Sequence, residues 1–232
     1  MLAEAERCNP NELTERYLPV LVTSVAQRAY HPLIRLGYAL DFNCAEETAA
    51  ALAYWISAHV PTPGGQNPVD MHAALLEQTA APAHTFEHSG FGANIRELIA
   101  REAYPVGCAE SFRVCAELGL TLYRSTRNFF ALHLVTATQA ARTISEHIDA
   151  KHTAALLSAL SGSILAAHRV LGSPTFERTL VQPAPTGLHE DHTFKYGYSA
   201  LREYEQWADP RYREEIALFR AADLLPSWVR LP

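Results

Sequence analysis

Hardly any stretch of this chain alternates apolar and polar residues with a period of two. Ala and Leu dominate instead, and apolar residues recur at three- and four-residue spacing almost throughout. That pattern gives no strand a buried and a wet face, so it predicts an all-α fold. With 232 residues, 48% of them hydrophobic, the chain can close one core around a cavity, and residues 1–232 read as a single compact multi-helix domain.

Local signals punctuate the helices. A first helix is expected from Asn11 to about Arg28, and a second, carrying Ile34 and Leu40, after His31-Pro32, where proline suits a first turn. Asn43 followed by Glu46 resembles a capping box and opens a helix to about Val60, before Pro61-Thr62-Pro63-Gly64-Gly65 breaks it. Further helices are expected at Met71–Gln78, Ile95–Ala103, Ala109–Tyr123, Arg127–Ile144 and His152–Leu171. Ser173–Gly187 reads as a packed excursion, and Asp209-Pro210 opens a terminal amphipathic helix containing Ile216, Phe219 and Leu225.

A net charge of −6 and the lack of a basic cluster argue against nucleic acid or an anionic membrane as partner. No basic-then-apolar leader follows Met1, and no apolar run reads as long enough to span a bilayer, so a cytoplasmic location is expected. Cysteines 8, 44, 108 and 115 form no CxxC pair and read as reduced thiols packed as small apolar residues.

Eleven histidines outnumber the lysines. The densest chemistry is His189-Glu190-Asp191-His192-Thr193-Phe194-Lys195, where His192 and Lys195, three apart on a helix, share a face. His31 and His133 also stand in strongly apolar helical settings, where an imidazole is either a hydrogen-bonded core residue or a ligand. The loop histidines His84 and His88 are weaker candidates, and His168 reads as a partner for a helix C-terminal dipole. Glu190 and Asp191 can orient ligand imidazoles or simply favour a helix N-terminus, Thr136 shares a face with His133, and Arg142 reads as a structural ion-pair partner or helix C-terminal charge, with contact to an anionic substrate group as the alternative.

Three segments in this order, HPLIRLGYALDFN at 31–43, FFALHLVTATQAAR at 129–142 and HEDHTFKYGYSALREYEQWADPRY at 189–212, resemble the questin oxidase-like family. The resemblance implies an all-α fold around a mononuclear non-haem iron, bound by histidines and an N-carboxylated lysine. It also implies a dioxygen-dependent oxidoreductase that opens anthraquinone-type polyketide rings in a Baeyer-Villiger-like C–C cleavage. Carried over residue by residue, His31, His133, His192 and Lys195 would be metal ligands, with His192 and Lys195 the catalytic pair. The implied cofactor is Fe(II), with Zn as the alternative, and the implied partners are a small aromatic substrate and dioxygen. NADPH enters by resemblance only, since no Gly-rich dinucleotide fingerprint occurs.

The chain departs from the family pattern by having no histidine before His31, Gln139 where histidine is common, and Arg35 where some members have histidine. Coordination number and metal therefore stay open, with His189 or His168 as substitute ligands. Two other functions remain: a mononuclear Zn hydrolase with Glu190 or Asp191 as base, and a metal-free helical binding protein derived from the enzyme.

Overall fold

The computed structural model describes residues 9–62, 70–81, 90–102, 111–175, 183, 190–225 and 229; for Glu102 and Glu190 it describes the backbone alone. Among the described residues there is no strand, so the all-α expectation holds. The helices are α1 (Pro10–Leu21), α2 (His31–Asp41), α3 (Ala45–Ala58), α4 (Met71–Ala80) and α5 (Phe91–Glu102), then α6 (Phe112–Thr126), α7 (Phe129–Ser145), α8 (Ala150–Val170), α9 (Glu190–Trp207) and α10 (Pro210–Ala221).

Most start where a side chain can cap an orphaned amide. Asn9, Asp70, Ser111, Asn128, Asp149 and Asp209 each accept from a first-turn N–H of α1, α4, α6, α7, α8 and α10. Several boundaries differ from the sequence reading: the helix expected from Ile95 begins at Phe91, and the one expected to end at Tyr123 runs to Thr126. The first helix stops at Leu21, because the hydroxyls of Thr23 and Ser24 donate to the carbonyls of Val20 and Leu21 and tighten Val22–Ser24 into a 3-10 turn. Asn43 is not the cap of the third helix: it takes a left-handed φ of 49°, which asparagine tolerates, and Cys44 stands at the N-cap without a side-chain bond to a first-turn amide.

α7 is the axis of the bundle. Every residue from Ala131 to Ile144 is buried, and α2, α6, α8 and α9 all pack on it. α8 is the second interior helix and carries α1, α4, α5 and α6. By length and composition α8 could cross a membrane, with a mean hydropathy of 1.2, which corrects the expectation that no run is long enough; 61% of that stretch is buried inside the fold, as in a core helix.

Close approach fixes the direction of α2 on α7. A Cβ on Gly37 would sit 2.5 Å from the Cβ of Ala140, so only glycine allows this spacing. Because Gly37 meets Ala140 while His31 meets His133, α2 and α7 run in the same sense. α9 is parallel to both: His192 lies beside His133, Ser199 bonds Gln139, and Glu203 bonds Arg142. Three helices from distant parts of the sequence thus begin at one end of the bundle.

Candidate metal centre

His31 is the first residue of α2, His133 lies in the second turn of α7, and His192 is the third residue of α9. The parallel packing brings these positions together, and one ligand nitrogen from each ring lies within 4.8 Å of those of the other two. The Nε2 atoms of His31 and His133 are 3.1 Å apart. Phe129 packs against both His133 and His192, with ring centroids 4.8 Å away in each case.

The surroundings set the tautomers. His133 Nδ1 is 2.9 Å from the carbonyl of Phe129, so Nδ1–H donates there and Nε2 keeps its lone pair. His192 Nδ1–H donates to Asp191 Oδ1 at 3.0 Å, and its Nε2 is buried with no hydrogen-bond partner. A buried, unpartnered lone pair aimed into a cluster of imidazoles is the strongest sign that this site suits a cation. Burial is the main cause that drives His133 down to about 4, opposed by the bond to Phe129 and assisted by His31, His192 and Lys195. Burial also lowers His31, aided by the charges of Lys195 and His192 and opposed by Asp191. Both rings are therefore neutral near pH 7, the form that ligates metal.

The fit to a cation can be tested on distances. Bonds of about 2.1 Å place cis nitrogens roughly 3.0–3.4 Å apart, which the His31–His133 pair already satisfies. The third ring must close in by on the order of 1 Å from the 4.8 Å limit. Three imidazoles suit Zn, Fe, Cu or Ni, and no carboxylate joins the cluster among the described residues.

Lys195 lies at the rim. Its Nζ is 3.0 Å from Asp191 Oδ2, and the side chain is 38% exposed. Asp191 thus spends one oxygen on His192 and the other on Lys195. Partial burial opposes its ionisation, but the hydrogen bond and charge of Lys195 and the adjacent His192 keep it below the usual carboxylate range. An ammonium in this position donates and cannot ligate.

A cleft of about 500 Å³ opens beside the cluster. His31, Ile34, Arg35, Tyr38 and Phe42 form its floor along one face of α2, Glu47 and Tyr54 line it from α3, and Asp191, His192 and Lys195 from α9. Tyr38 donates to the carbonyl of Lys195 at 3.1 Å and lies the same distance from Ser199 Oγ, tying floor to wall.

The entry into α2 is strained. Arg28, Ala29 and Tyr30 have φ of 49°, 53° and 66°, three consecutive left-handed residues without a glycine, each costing roughly 1–2 kcal/mol. Tyr30, fully buried and bonded to the carbonyl of Ser163 at 3.2 Å, pins this turn immediately before His31. Gly92 presses on it as well, since a Cβ there would lie 2.9 Å from the carbonyl of Ala26. Nothing in the sequence signals this turn, because the residues that favour left-handed backbone are missing from it.

Other candidates take different positions. His168 is not at the site and is not a dipole partner: its Nδ1 is 2.9 Å from Gln78 Oε1 and its Nε2 2.9 Å from the carbonyl of Pro174, so it is a bonded core histidine. Thr136 donates to the carbonyl of His133 at 3.2 Å, and Gln139 bonds Thr143. Arg142 pairs with buried Glu203, as expected of an ion-pair residue. Cys115 is buried 3.4 Å from Ser161 Oγ, and Cys44 lines the cleft, both as free thiols. His84, His88, His189, Cys8 and Cys108 lie outside the described residues, as does the side chain of Glu190. No family model and no curated protein matches this chain.

Proposed function

We propose that the protein is a cytoplasmic non-haem iron oxidoreductase that uses dioxygen to cleave a small aromatic, polyketide-like substrate. The observation that carries this reading is the convergence of three imidazoles, one with a buried and unpartnered Nε2, at the end of a cleft lined by Tyr38, Phe42 and Tyr54. Iron bound there would supply oxygen activation. The residues' own part is to bind and orient: His31, His133 and His192 offer lone pairs, Phe129 shields two of the rings, and Asp191 fixes His192 through Nδ1. If the cleavage needs reducing equivalents, NADPH or another external donor would supply them, as the chain has no dinucleotide fingerprint.

The resemblance also asks Lys195 to serve as a carbamate ligand. A carbamate would have to leave Asp191 and turn toward the histidines, because the present contact would set anion against anion. Intact mass of metal-loaded protein distinguishes the forms by the mass of one carbon dioxide.

Anaerobic loading with Fe(II) followed by metal analysis tests the proposal. One iron per chain, lost in His192→Ala, together with substrate-dependent dioxygen uptake, is the expected result. Tight binding of Zn(II) with no oxygen chemistry on any aromatic substrate would favour the hydrolase, and no metal binding at all would favour the metal-free binding protein.

A further inference from the structure

Arg35 lies one helical turn beyond His31 on the same face of α2, in the floor of the same cleft. Its guanidinium sends Nε (3.2 Å) and Nη2 (2.9 Å) to a single oxygen of Glu47. The other planar fork, formed by Nη1 and the second hydrogen of Nη2, bonds no described residue. That fork matches the two oxygens of a carboxylate. The remaining cation of the cleft is differently placed, because Lys195 is tied to Asp191, which also holds His192.

Between Arg35 and the open end the wall is aromatic. Phe42 is 69% exposed, with its ring 5.6 Å from that of Tyr198, and Tyr38 stands edge-on to Tyr198 at 5.5 Å. A ring laid on this surface would cover apolar area that no described residue covers.

We infer that the cleft takes an aromatic carboxylate, its acid group on the open fork of Arg35 and its ring against Tyr38 and Phe42. This goes beyond the oxidoreductase reading and does not rest on it, since neither Arg35 nor the aromatic wall belongs to the histidine cluster. Tyr38 and Phe42 follow Arg35 by three and seven residues, so they continue its face of α2 away from His31. The exposed Arg35–Glu47 pair is too weak to hold the guanidinium away from a ligand.

The test titrates 2-naphthoate and its neutral isostere 2-naphthamide into the full chain, with one equivalent of Zn(II) and again after chelation. Wild type is expected to prefer the acid by about tenfold in both states, as one charge-assisted fork would give. Arg35→Gln should bring the two ligands within about twofold, and Arg35→Lys, with the charge but no fork, should fall between. Melting curves that match wild type establish that the variants are folded, as expected for a half-exposed residue. Equal binding of both ligands by wild type overturns the inference, as does an undiminished preference in Arg35→Gln. So does a preference that exists only with metal bound and disappears in His192→Ala, which would put the acid on the metal. Failure to bind metal alongside an intact Arg35-dependent preference would instead overturn the reading of the histidines and leave this inference standing.

Discussion

α7 and α9 carry a buried polar cluster at each end, and the two clusters are built on opposite rules. At the far end Glu203, fully buried, takes Arg142 Nε at 2.9 Å on one oxygen and Trp207 Nε1 at 2.6 Å on the other. Burial raises the Glu203 carboxyl, while the Arg142 charge and both hydrogen bonds pull it back. Both of its oxygens are satisfied, and although Trp207 also lines a second cleft of about 420 Å³, neither Glu203 nor Arg142 does, so the cluster locks the two helices in register. At the near end His133 and His192 have their Nδ1 atoms fixed, yet His192 Nε2 is left without a partner beside an open cleft. The difference teaches that a polar cluster which completes its own bonds serves the fold, whereas one that withholds a bond is arranged for something outside the chain.

The comparison breaks most visibly at the closed end. Arg142→Ala should cost about 3–5 kcal/mol in urea unfolding, because it strands a buried carboxylate, while leaving metal affinity per folded molecule near wild type. If that variant unfolds normally but loses metal, the two ends are not independent. At the open end Asp191→Asn should weaken metal binding about 10–100-fold by loosening His192, with little change in the stability of the metal-free protein. A metal affinity equal to wild type would show that Asp191 serves Lys195 alone.

Acid separates a third buried group from both clusters. Burial, opposed by the bond to Pro174 and aided by Arg169, lowers His168 below the ordinary histidine value. The unfolded chain then binds a proton that the folded chain refuses, so this contribution is complete above about pH 6.5 and fades as pH falls toward the folded value. In metal-free protein, His168→Gln should flatten the decline in unfolding free energy between pH 7 and 5, and an unchanged slope would assign the decline to other groups. The smallest effect is expected at the strained turn. Ala29→Gly should relieve left-handed strain for a net gain of up to about 1 kcal/mol, partly offset by a freer unfolded chain. A loss of stability in its place would mean that packing around Tyr30, not the backbone angle, governs that turn.

Much of the local structure was legible in the sequence, because helix periodicity and capping depend on residues within a turn or two of one another. Asp209-Pro210 began a helix as read, and His31-Pro32 opened α2. The three apolar-set histidines could be singled out for the same reason, since an imidazole amid Leu, Val and Phe needs an explanation wherever the chain folds. Asn43 and the end of α1 were misread where hydroxyls and a left-handed residue competed with the helix signal. What only the tertiary structure decided depends on contacts 60 to 160 residues apart in the chain: the parallel setting of α2, α7 and α9 that brings His31, His133 and His192 together, the pairing of Arg142 with Glu203, and the packing of Ser163 and Gly92 that forces Arg28–Tyr30 into left-handed backbone. Periodicity says which face of a helix is buried; which other face it meets, and in which direction, is set by close approaches such as Gly37 on Ala140.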